Sequence, residues 1–170
     1  MKKRQTHQLL VVDSRAMSVI LEEMDCSTVS FHKLMENVTV VVPMAIYSDV
    51  LSQACYRNDT GARLASRGRA KHAALMAGLY GNSIPRPNFE KPAFFVSEYP
   101  YGNGWIMRFI FLPEATTPYE ARIMGKMWMG AIKDYICRQE KIKLESLDVK
   151  VNIAADIRCN KRGEYSVEYY

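Results

Sequence analysis

Arg63, Arg67 and Lys71 fall at positions i, i+4 and i+8 of a predicted helix, with Arg57 just before it and Arg69 nearby. Like charges at this spacing repel by roughly 0.2–0.5 kcal/mol per pair on an isolated helix. No carboxylate is interleaved, so an anion that offsets the repulsion would explain the stripe, and a phosphate backbone is the obvious one. The structural alternative is that the basic stems lie along the helix edge, with their heads in water or paired with acids elsewhere.

A second positive group is expected on a sheet. If Trp105, Met107, Phe109 and Phe111 face helices, then Ile106, Arg108 and Ile110 point the other way, where Lys150 and Asn152 join them. Left open, such a face could hold nucleic acid. Its isoleucines equally suit a surface closed by a second subunit or by an N-terminal helix.

Other chemistry is not assembled. The three histidines, His7, His32 and His72, lie in a terminus, a loop and a helix, and form no triad or metal cluster. The four cysteines, Cys26, Cys55, Cys137 and Cys159, are scattered without C-x-x-C spacing and read as reduced, mostly buried thiols. There is no P-loop and no dinucleotide fingerprint. No metal and no cofactor is implied. Glu22, Glu23 and Asp25 read as the wet face of a short helix, and Met124, Met127 and Trp128 as core filling.

The elements that would position these groups follow from periodicity and punctuation. Asp13 to Asp25 places Met17, Ile20, Leu21 and Met24 at helical spacing behind an Asp13 or Ser14 cap. Val38 to Tyr47 is apolar on both faces, as in a central strand, and Pro43 implies a bulge or an early end. A helix is predicted from about Ala62 to Ala77, then a stiff proline-bearing loop from Gly81 to Pro92. Two strand-like runs, Ala93 to Tyr99 and Trp105 to Leu112, flank a glycine-bearing turn and form a hairpin. Thr117-Pro118-Tyr119-Glu120 is a capping box that opens a helix reaching about Gln139. Leu147 to Ile153 alternates as a strand, and Tyr165, Val167 and Tyr169 suggest a last one.

That order predicts an α+β fold, a ferredoxin-like β-α-β-β-α-β sandwich with an extra N-terminal helix and a C-terminal β-strand. The expected layout is a single domain: residues 1–37 as a helical extension, 38–157 as the core and 158–170 as the added strand.

Ser66-Arg67-Gly68-Arg69 within one helix and Gly78-Leu79-Tyr80-Gly81 just after it, taken with this order of elements, resemble the phage-encoded S-adenosylmethionine lyases. The resemblance covers residues 38–112. It implies a ferredoxin-like core, an oligomer with sites between subunits, and cleavage of S-adenosylmethionine by its own carboxylate. It also implies a tyrosine and a glutamate near the central hairpin, for which Glu98, Tyr99 and Tyr101 are the nearest residues, at a spacing that differs from the family's. Trp105 falls near the place of the carboxylate.

At 170 residues, 48% hydrophobic and 24% charged, the chain can bury a core. Its longest uncharged runs are strand-sized and fall short of the ~20 apolar residues of a membrane span. No membrane partner is expected, and a cytoplasmic location is. The net charge of +5 favours a polyanionic partner. The leading expectation is a nucleic-acid-binding accessory protein that uses Arg57, Arg63, Arg67, Arg69, Lys71, Arg108 and Lys150 on DNA or RNA. Beside it stand the S-adenosylmethionine lyase and a homo-oligomeric assembly protein without a small-molecule site.

Overall fold

The computed structural model describes residues 5–25, 28–56, 71–76, 83–85, 92–101 and 104–170. Among the described residues, seven strands form one mixed sheet: β1 (Gln5–Val12), β2 (Val38–Pro43), β3 (Ser83–Pro85), β4 (Pro92–Tyr101), β5 (Trp105–Leu112), β6 (Leu147–Cys159) and β7 (Tyr165–Tyr169). Across the sheet their order is β3-β4-β5-β2-β1-β6-β7. The four central strands, β5, β2, β1 and β6, are parallel, whereas β3, β4 and β7 attach antiparallel.

The helices are α1 (Ser14–Glu23), α2 (Val29–Met35), α3 (Met44–Tyr56), α4 (71–76), α5 (Pro118–Met127) and α6 (Met129–Glu140), with a 3-10 turn at Leu144–Ser146. Asp13 caps α1 and Thr117 caps α5, as their positions foretell. Pro43 ends β2, and α3 begins at the next residue. Gly104 closes the hairpin at φ 77°, a conformation open to glycine at little cost.

Two apolar clusters lie on opposite faces of the sheet. Leu10 and Val12 of β1 pack with Met17, Ile20, Phe31, Tyr47, Phe109 and Phe111, under α1 to α4. Leu9 and Val11 pack with Val41, Ile110, Leu112, Ala121, Ile132 and Ile136, under α5 and α6. Alternation along β1 thus feeds two cores.

The mixed α+β character is as expected, but the strand order is not that of a ferredoxin-like sandwich. β2, β5 and β4 keep the relations such a sandwich requires. The difference is β1, which lies between β2 and β6 and makes β6 parallel to its neighbour. The stretch 1–37 therefore supplies a central strand rather than an appendage. Handedness explains the second helical layer. Right-handed crossovers that step from β1 to β2 to β5 put their helices on one face, and the return step from β5 to β6 puts α5 and α6 on the other. The face bearing Ile106, Arg108 and Ile110, for which an open surface, a second subunit or an N-terminal helix were the alternatives, is covered by α5 and α6.

The long helix expected over 118–139 is two helices, α5 and α6, meeting at Trp128 with φ −95° and ψ 15°. Of the helix expected over 62–77, residues 71–76 are helical and the remainder lies outside the described residues. Among the described residues, no helix is long and apolar enough to cross a membrane.

Candidate functional site

Several residues expected to face a ligand are committed inside the fold. Lys71, 8% exposed, donates from Nζ to the Leu21 carbonyl near the end of α1 and lies 3.4 Å from Asp25 Oδ2. A cation is favoured there, because the last carbonyls of a helix have no partner within it. Lys71 is a clamp on α1, not an open phosphate ligand. Arg57, Arg63, Arg67 and Arg69 lie outside the described residues.

Arg108 sits under α6. Its guanidinium bonds Glu140 and lies 3.4 Å from Glu98 Oε1, which also accepts from the Tyr135 hydroxyl at 3.1 Å. Burial works against the Arg108 charge, but the hydrogen bond and the charge of Glu140, with Glu98, outweigh it and raise its pKa. Burial, with the adjacent Glu98 charge, pushes the Tyr135 hydroxyl well above the ordinary range. This network ties the end of α6 to β4 and β5, so Arg108 does not offer its charge to nucleic acid on an open sheet. Lys150 is exposed, on the face opposite Arg108.

Glu98, Tyr99 and Tyr101 are not brought together. Consecutive strand residues project to opposite faces. Glu98 joins the Arg108 network, whereas the Tyr99 hydroxyl donates to Asp25 Oδ1 at 2.8 Å on the other face. Burial, reinforced by Asp25, lifts Tyr99 to about 12. Tyr101 is buried against Phe31, with its hydroxyl 3.5 Å from His32 Nδ1.

A different group converges at the carboxyl ends of the parallel strands. Asp13 follows β1 directly, and its Oδ1 accepts from the backbone N–H groups of Arg15 and Ala16 at 3.0 and 3.1 Å. Its Oδ2 accepts from the Tyr170 hydroxyl at 2.9 Å. Tyr170 is fixed by its own N–H, which donates to the Ile153 carbonyl at 3.2 Å. Its ring lies 5.7 Å from that of Tyr119, tilted by 51°.

Tyr119 is held by the first turn of α5. Thr117 Oγ1 accepts from Glu120 N at 3.2 Å, and Glu120 Oε2 accepts from Thr116 N and Oγ1 at 3.0 and 3.1 Å. Both rings stay open, Tyr119 at 58% and Tyr170 at 66% exposure. The Asp13 hydrogen bond raises the Tyr170 pKa, and Arg15 acts in the opposite sense. Arg15 and Arg122, three residues beyond Tyr119, are both exposed.

This place in the fold suits a ligand. α1 leaves β1 on one face and α5 leaves β5 on the other, and open parallel sheets bind ligands at such carboxyl ends. The groups supply flat π surfaces and guanidinium charge rather than a nucleophile with its base. Among the described residues no His, Cys, Asp and Glu cluster could hold a metal. In sequence, Tyr119 is the interior of a capping box and Tyr170 follows a short strand. The one legible signal is Asp13, an acid that closes an apolar run and opens a helix. No family model, curated protein or solved structure matches the chain.

Proposed function

We propose that the chain binds single-stranded nucleic acid at the carboxyl end of its parallel strands. The observation that carries this reading is the exposed Tyr119–Tyr170 ring pair, with Arg15 and Arg122 exposed on the two helices that begin beside it. Aromatic faces stack on any base and tolerate sequence, and arginines follow the phosphates. The net charge of +5 favours the encounter. The S-adenosylmethionine reading gains no comparable support, because Glu98 and Tyr99 point to opposite faces.

Fluorescence anisotropy with labelled single-stranded DNA and RNA tests the proposal. Tyr119→Ala should cost about 1–3 kcal/mol, roughly 5- to 150-fold in affinity, and Tyr119→Phe should bind as the parent does. Arg15→Gln and Arg122→Gln should each lower the salt slope by about 0.7. Affinity indifferent to Tyr119→Ala and Tyr170→Ala, or no binding at low salt, would sink it.

A further inference from the structure

Among the described residues, part of the outer edge of β6 has no neighbour. β7 takes that edge only from Ala154 to Cys159, whereas β1 runs along the inner edge from Leu147 to Ala154. Two hydrogen bonds show which way the backbone points. The Ala154 carbonyl turns inward to accept from Asp13 N, and the Ile153 carbonyl turns outward to accept from Tyr170 N, each at 3.2 Å. Alternation then turns Val151, Val149 and Leu147 outward and Asn152, Lys150 and Asp148 inward.

The ends of the open window are set by what is already used. Ile153 is occupied by Tyr170, and the Leu147 N–H is taken by the Leu144 carbonyl of the 3-10 turn. The window runs from the Leu147 carbonyl to Val151, and its middle is Val149. Among the described residues no backbone group fills it. Such an edge is a template for another strand.

We propose that the strand is β6 of a second copy of this chain, antiparallel about a two-fold axis at Val149. In this register the Val149 N–H and C=O bond the same groups of the second copy's Val149, and the Val151 N–H reaches the second copy's Leu147 carbonyl. Asp148 stands opposite Lys150 of the other copy, and Lys150 opposite Asp148. Both side chains are exposed and neither has an ion-pair partner among the described residues. They occupy non-hydrogen-bonded positions, where facing Cα atoms approach to about 4.5 Å. Moving the axis to Asp148 or to Lys150 would set like charges opposite each other. The window and the charges therefore choose the same centre. On the other face the half-buried Val149 meets its copy and Val151 meets Leu147.

Size exclusion with light scattering tests this, independently of oligonucleotide binding. The parent should run at twice its mass of 19.5 kDa. Val149→Pro removes an outward N–H that no ladder among the described residues uses, so circular dichroism should show the fold kept while the dimer dissociates. Lys150→Asp should weaken the dimer about tenfold, and adding Asp148→Lys should restore it by exchanging the charges. A monomeric parent at its highest soluble concentration overturns the proposal. So does a dimer indifferent to Lys150→Asp, or one that the charge exchange fails to restore.

Discussion

His7 Nε2 lies 2.8 Å from Thr39 Oγ1 across the β1–β2 ladder, the ring is buried, and its Nδ1 has no partner among the described residues. Burial lowers its pKa from 6.5 to about 4, with Glu140 pulling it up and Arg108 pressing it further down.

The consequence is a pH dependence of definite sign. Above pH 6.5 the ring is neutral folded or unfolded, and the full stability is present. As pH falls from 6.5 towards about 4, the unfolded chain takes the proton first and stability is lost. At about 1.36 kcal/mol per pKa unit the loss approaches roughly 3 kcal/mol. Urea denaturation of the parent and of His7→Gln, each at about pH 7 and about pH 4.5, should show the smaller pH effect in the variant. Equal losses in the two proteins would remove His7 from the account.

Lys71 separates a structural cation from a ligand-binding one. Lys71→Met keeps most of the stem and deletes the charged donor to Leu21, which should cost about 1–3 kcal/mol by chemical denaturation. Asp25 is 59% exposed in its side chain and can turn to water, so the loss comes mainly from the stranded carbonyl. Oligonucleotide affinity and its salt slope should not change. An unchanged stability with a slope lower by about 0.7 would return Lys71 to the phosphate track.

What the sequence made legible was punctuation, and what it hid was pairing. Thr117-Pro118-Tyr119-Glu120 declares a helix start, because the cap, the fixed φ and the reciprocal carboxylate are local physics, and α5 begins there. The hairpin is local in the same way. β1 is not. Gln5, Thr6, His7 and Gln8 give its first half the look of a polar terminus, although His7 is 1% exposed. Only the partners it finds, β2 and β6, make that half a strand.

Once β1 is missed, the rest follows wrongly. Without it β6 has no reason to be parallel, α5 and α6 have no reason to cross to the second face, and nothing in the sequence places a helix over Arg108. The stretch 44–56 shows the converse failure. Its first residues, up to Tyr47, read as the end of the apolar strand, yet Pro43 cannot donate to a ladder and suits a helix start, and α3 begins at Met44. The candidate site was hidden because Asp13, Tyr119 and Tyr170 are joined only by the fold.

Arg108 offers the sharpest test of the covered face. Its side chain is 17% exposed, and it neutralises Glu98 and Glu140, which approach it from β4 and from the end of α6. Arg108→Met would leave two carboxylates facing each other with only the Tyr135 hydroxyl to donate. Losing one side of a fully buried pair costs about 3–5 kcal/mol. Glu98 and Glu140 are 37% and 32% exposed in their side chains, and solvent screening brings the expected loss to about 2 kcal/mol. Glu140→Gln alone removes one acceptor charge and should cost less. In the double variant the uncompensated repulsion is absent, so the combined loss should fall short of the sum of the single losses by about 1 kcal/mol. Losses that add to within about 0.5 kcal/mol would mean that Arg108 and Glu140 do not act as a pair, and that α6 is held to the sheet by its apolar face alone.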